Sequence, residues 1–209
     1  MEPGDTLAEG RAERKKKETR QKILKAALDL IQRQGFDKTT MEQIAEEADV
    51  ARKTLYNYFP VKEAIVDEYV RGLSRKFTQD AFAKLPSLPD TRSRLLESLD
   101  KVYEQVEMNA EIIGISLGYR LKNVLQGDEY QSGGTQSLLA EIIRLGRLAG
   151  EIRGDIRAEL LVKQLDILRG TIVMGWLNDP SKVELRQEMA LLVDLFLNGA
   201  AGKDGKEQA

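Results

Sequence analysis

Residues 35–62, GFDKTTMEQIAEEADVARKTLYNYFPVK, carry a series of helix stops and starts that leaves few folds open. Gly35 suits the left-handed position that ends a helix, and Phe36 can then pack back on its last turn. Thr39 with Glu42 and Thr40 with Gln43 form overlapping capping boxes, so a new helix begins there. Ile44, Ala45 and Ala48 give it a narrow apolar face that another helix can approach closely. Asp49 fits a tight turn, because a short polar side chain tolerates a left-handed backbone, and Val50 would plug the gap between the helices. A second helix is predicted over 51–59, with Leu55 and Phe59 four apart on its buried face. Arg52, Lys53, Tyr56 and Asn57 fall on its other faces, with Thr54 and Tyr58 at the flanks. Cations and hydroxyls serve phosphates, while Arg, Lys and Asn serve base edges, which is what a helix laid in a DNA major groove needs. Lys62 follows at the start of the next helix, where backbone N–H groups already favour a phosphate. The alternative is a plain helical hairpin with a solvated charged face. The ordered register of caps, turn and basic helix favours DNA.

The same stretch resembles the helix-turn-helix of TetR-family transcriptional regulators. The match runs through Gly35, Phe36, Thr39, Thr40, Ile44, Ala45, Ala48, Val50, Thr54, Leu55, Tyr56, Tyr58, Phe59, Lys62 and Glu63. It departs at Asp49, where the family usually has glycine, and at Ala51, where a serine usually caps the second helix. The second departure removes a cap worth roughly 1 kcal/mol. Lys53 stands where many members carry a small residue. Helical position and the resemblance together assign Thr40, Tyr56 and Lys62 to phosphates and Arg52, Lys53 and Asn57 to bases.

Composition narrows the rest. The 209 residues contain no cysteine and no histidine, which rules out disulfides, thiolate or imidazole metal sites and His-based catalysis. No metal or cofactor is expected, and no Glu-x-x-His constellation supports a helical metalloenzyme. The net charge is −2, but 11–25 carries eight Lys or Arg against Glu13 and Glu18. That local +6 leaves −8 elsewhere, so positive charge gathers where phosphates would be met. The start of the chain has no signal-like apolar stretch and no run reaches the length of a membrane span, so a cytoplasmic protein without a membrane partner is expected.

In chain order, 1–13 is read as a disordered arm. A basic run at 14–17 either tracks DNA or stays solvated. A first helix is predicted over 18–34. The helix-turn-helix unit is placed at 14–62 with its motif at 40–59, and a long connecting helix at 63–85 carries Ile65, Val66, Tyr69, Val70 and Leu73 in one stripe. Pro86 and Pro89 break the pattern. Every later signal is helical, over a second domain at 86–199 and a disordered tail at 200–209. Gly114 and Gly118 loosen the segment around 112–125 into one or two helices, and 127–134 reads as a loop. The fold class is all-α.

The last two helices carry wide apolar faces. Ile167, Thr171, Met174, Leu191 and Leu195 lie partly round from the main stripes, more than a surface helix needs. Burial within one chain is one explanation; the other is a four-helix bundle with a second copy. The resemblance implies the homodimer, which would place two recognition helices on a palindromic operator. It also implies a pocket for a small-molecule effector, of unknown identity. Tyr103, Met108, Tyr119, Arg120, Met174 and Trp176 are the expected lining, because they combine bulk with a polar or polarizable group. The rival class is a helical protein–protein adaptor with only charge-driven DNA affinity.

Overall fold

The computed structural model describes residues 4–127 and 135–199; the expected loop over 127–134, but for its first residue, and the tail at 200–209 lie outside the described residues. Among the described residues there are nine α-helices, one 3-10 turn and no strand. A long first helix, α1 (Gly4–Gln34), is followed by two short ones, α2 (Met41–Glu47) and α3 (Arg52–Tyr58), and by a second long one, α4 (Lys62–Lys84). The 3-10 turn Leu85–Ser87 then leads to α5 (Thr91–Met108), α6 (Ala110–Leu125), α7 (Gln136–Leu148), α8 (Ala158–Asn178) and α9 (Leu185–Asn198).

The first correction is at the start. The backbone is helical from Gly4, so the expected arm over 1–13 is an extension of α1, with only residues 1–3 outside the description. The Arg, Ala, Glu and Lys residues of 11–17 are good helix formers, and no proline interrupts them. Of the one or two helices expected around 112–125, the structure has one, α6. Gly114 and Gly118 sit inside one unbroken helix, each with open space where a Cβ would be. Their lower propensity is outweighed by the packing of Ile113 and Leu117 on the main core.

The start signals of the motif are realised in detail. Thr40 is the N-cap of α2: its side chain accepts from the Gln43 N–H, and the Gln43 side chain accepts from the Thr40 N–H. The competing box is not used, because the buried Thr39 hydroxyl donates back to Gly35 O at 2.8 Å. Gly35 has φ +84 and Asp49 φ +52, the left-handed positions expected of them. Ala51 starts α3 with no side-chain cap.

Three apolar clusters organise the molecule. One joins α1, α2, α3 and the first turn of α4, through Ile23, Ala27, Ile44, Leu55, Phe59 and Ile65. The largest fills the space among α5, α7, α8 and α9. A small third cluster, Ile31, Val66 and Val70 with Ile112 and Ile115 against it, lies between them where α4 crosses α6. Helix α4 therefore belongs to both halves.

Candidate nucleic-acid interface and interior cavity

Helix α3 is held from inside and open outside. Leu55 and Phe59 are buried in the first cluster, whereas Arg52, Lys53, Tyr56 and Asn57 are exposed, Tyr56 by 47 %. Thr54 and Tyr58 are half-buried, and Tyr58 packs on the cluster. The guanidinium of Arg20 lies 4.8 Å from the centre of the Phe59 ring and 3.1 Å from Glu68, tying α1 to the C-terminal end of α3 and to α4. Thr40 is exposed at the neighbouring helix start; its hydroxyl accepts from Gln43 and still has its own proton to give. Two cations, the Tyr56 hydroxyl and an amide are thus exposed on a short, firmly anchored helix, with the exposed Thr40 at the neighbouring helix start.

Lys62 departs from the expected phosphate role. Its ammonium donates to Phe36 O at 2.8 Å and Thr39 O at 3.1 Å, reaches Asp37 O at 3.5 Å, and lies 4.1 Å from the centre of the Phe36 ring. It clasps the connection between α1 and α2 from the first position of α4. Three carbonyls and a ring face use the cation internally. These partners stand 23–26 residues away in the chain, so nothing local in the sequence points to them.

The interior of the second half contains a narrow cavity of about 80 Å³ between α4, α5, α6 and α8. Val70, Leu73, Val102, Val106, Ile113, Leu117 and Val173 make most of its wall apolar, with Ser74, Gln105, Ser116, Arg120, Thr135 and Arg169 as its polar residues. Of the six residues expected to line a pocket, Arg120 is the one that lines this cavity. Tyr103 is buried in the main core instead, its hydroxyl without a hydrogen-bond partner among the described residues and its pKa pushed up by burial. Met108 is 67 % exposed at the end of α5. Met174 is also exposed, and Trp176 packs on the outer part of the main core. Tyr119 lines a separate, wider cleft of about 410 Å³ between α1, α4 and α6, together with Arg20, Tyr58, Arg71 and Arg75. Bulk and polarity are properties of the residue type, whereas lining a cavity depends on which face of a helix meets its neighbours.

Two buried carboxylates were not expected from the sequence. Asp67 on α4 is buried and accepts from Arg71 Nε at 2.8 Å, from Ser116 Oγ at 2.7 Å and from Arg120 Nε. Asp166 on α8 is fully buried and accepts from Thr135 at 3.2 Å and Arg169 at 2.8 Å beside the cavity. In the sequence each shows only as a carboxylate within an apolar helical stripe, with an arginine one turn further on, Arg71 for Asp67 and Arg169 for Asp166. On the outside of the same half, Ile167, Thr171, Met174, Leu191 and Leu195 are all exposed on α8 and α9, Leu191 by 57 %.

An all-helical chain with this anchored helix-turn-helix on a helical second half is a DNA-binding transcriptional regulator. A family profile described as "Bacterial regulatory proteins, tetR family" matches residues 23–69. The repressor NicS of Pseudomonas putida is 30 % identical over 144 residues, 66 % of this chain and 68 % of that protein. The repressor KstR2 of Rhodococcus jostii is 24 % identical over 193 residues, 87 % and 91 % of the two chains. Among solved structures, the TetR-family repressor FadR of Thermus thermophilus, in complex with lauroyl-CoA, superposes with a TM-score of 0.78 at 25 % identity, over 88 % of this chain and 96 % of that one. The chain belongs to the TetR family of bacterial transcriptional regulators, and it is not an enzyme.

Proposed function

We propose that this regulator is a cytoplasmic repressor that binds a palindromic operator as a homodimer and is released by a small molecule carrying an aliphatic chain. The observation that carries the DNA-binding reading is α3 itself: buried at Leu55 and Phe59, and open at Arg52, Lys53, Tyr56 and Asn57. Tyr56 and Thr40 are placed to meet phosphates, and Arg52, Lys53 and Asn57 to reach base edges, with Thr54 and Tyr58 supporting at the flanks. One such helix reads too few base pairs to select a site in a genome. Two, related by a two-fold axis, would read half-sites about 34–36 Å apart.

The exposed apolar residues of α8 and α9 support pairing of these helices with their copies in a second subunit. The cavity supports an apolar effector. Its present volume, about 80 Å³, falls far below the roughly 300–1,000 Å³ of a ligand pocket. An effector of any length must therefore widen it. Because Val70 and Leu73 belong to α4, widening would move the helix whose first turn packs against α3. The ligand acts only through its different affinity for the two arrangements. The chain type is drawn from the apolar lining and from the lauroyl-CoA bound by the Thermus neighbour.

Selection of genomic fragments by the purified protein at two salt concentrations, read by sequencing, tests the reading. A recovered palindrome is expected. Recovery of no common sequence would mean charge-driven binding alone and would overturn it.

A further inference from the structure

We propose that Arg120 is a latch with two alternative partners: Asp67 on α4, and the anionic head of an effector whose aliphatic chain fills the cavity. The proposal rests on the effector-responsive reading above and adds the chemistry of the head and the contact through which it acts. Arg120 lies on α6, is 8 % exposed, and is the residue common to the apolar cavity and the arginine-lined cleft beside it. Its Nε donates to Asp67 Oδ1, and its Nη2 is buried with no hydrogen-bond partner among the described residues. A buried guanidinium N–H left unsatisfied is a costly arrangement that an incoming acceptor relieves. Of the other polar groups on the wall, Arg169 is ion-paired with the buried Asp166, and the rest, Ser74, Gln105, Ser116 and Thr135, are uncharged, while Val70, Leu73, Val102, Ile113 and Val173 suit an acyl chain.

The other partner can be given up. Asp67 keeps Ser116 Oγ at 2.7 Å and Arg71 Nε at 2.8 Å when Arg120 turns away, so it is not stranded. What is lost is the charged tie between α4 and α6. Asp67 sits five residues beyond Lys62, the clasp on the α1–α2 connection, and two beyond Ile65, which packs in the core of the DNA-binding unit. An anion that takes Arg120 therefore releases α4 close to its junction with α3. The anionic head is either a free carboxylate or the phosphorylated part of a thioester; both present the same acceptor chemistry to a guanidinium.

The test uses the full chain, its R120Q and D67N variants, and the D67N/R120Q pair, which replaces the buried ion pair by two neutral amides should R120Q fail to fold. Dodecanoate, lauroyl-CoA and dodecanol are titrated by calorimetry, and operator release is followed by fluorescence anisotropy. Loss of Arg120 is expected to weaken at least one anionic probe tenfold or more while leaving dodecanol within threefold. A loss confined to lauroyl-CoA assigns the head to the phosphorylated thioester, and one confined to dodecanoate to the free carboxylate. D67N is expected to bind the anionic probe as tightly as the parent or more so, yet to show at least fivefold less weakening of operator binding by it. Equal losses for dodecanol, unchanged anion binding without Arg120, or full operator coupling in D67N would overturn the latch. Parent protein that holds its operator but binds none of the three probes would overturn it too, and would leave the repressor reading standing. Protein that selects no operator would refute the repressor reading, while the calorimetry still judges Arg120.

Discussion

Lys62 and Lys53 are both lysines of the DNA-binding half, yet one is bonded internally and the other is exposed. Lys62 spends its cation on the carbonyls of Phe36 and Thr39, so it stabilises the unit that carries α3. Lys62→Ala is expected to destabilise the protein by about 1.5–3 kcal/mol, the scale of a charged donor's hydrogen bonds. Operator affinity should fall with it, but the slope of log K against log salt should stay the same. Lys53→Ala, at an exposed site, should leave the melting temperature alone and change base preference at one position of each half-site. Thermal melts and salt-titrated operator binding separate the two. A reduced salt slope of about one for Lys62→Ala would mean that the cation meets a phosphate after all. Thr40→Ala is expected to cost about 1 kcal/mol through its cap, and Ala51→Ser to gain up to about 1 kcal/mol by supplying the cap that α3 lacks. Thr40 and Asn57 were visible as polar residues at the right helical positions. The clasp at Lys62 and the bonds from Ser116 and Arg120 to Asp67 were not, because those partners are 23–53 residues away.

At the scale of elements, the junction of α5 with α7 is the most constrained. A Cβ on Gly146 would collide with the side chain of Thr91 and come within 2.7 Å of Ile152. Gly146→Ala is expected to destabilise the second half by roughly 1–3 kcal/mol, the usual cost of overpacking, as read by denaturant unfolding. The same junction has a pH signature. The Ser93 N–H holds the Asp90 carboxyl below its ordinary 3.8, and hydrogen bonds from Thr91 hold Glu151 below its ordinary 4.5. Both pKa values are lowered by folding, so their stabilisation is complete above those ordinary values and drains away as pH falls through them towards the folded ones. Asp90→Asn should flatten part of that acid dependence in melts between pH 6 and 3. Helix positions of this kind were largely legible. The caps, Gly35 and the proline break after α4 each act within a turn of themselves, so a local reading finds them. Whether 112–125 forms one helix or two was left open by Gly114 and Gly118 and decided by packing on the core, which a glycine's own propensity does not report.

For the whole molecule, the exposed apolar residues of α8 and α9, Ile167, Met174, Leu191 and Leu195, set the test of assembly. Leu191→Glu with Leu195→Glu is expected to convert a dimer to monomers in sedimentation experiments and to weaken operator binding a hundredfold or more, with the helical content unchanged. A doubly substituted protein that still sediments as a dimer would place the interface elsewhere. The all-helical class, the helix-turn-helix and the exposed polar face of its second helix followed from spacing, caps and charge, all properties of residues within about four positions of each other. The apolar excess on the last two helices was legible for the same reason. The lining of the cavity, the buried carboxylates and the tie from Asp67 to Arg120 depend on how α4, α6 and α8 are rotated and brought together. Periodicity says that a helix has a buried face, but only tertiary packing decides which neighbour that face meets and which polar atoms are enclosed between them.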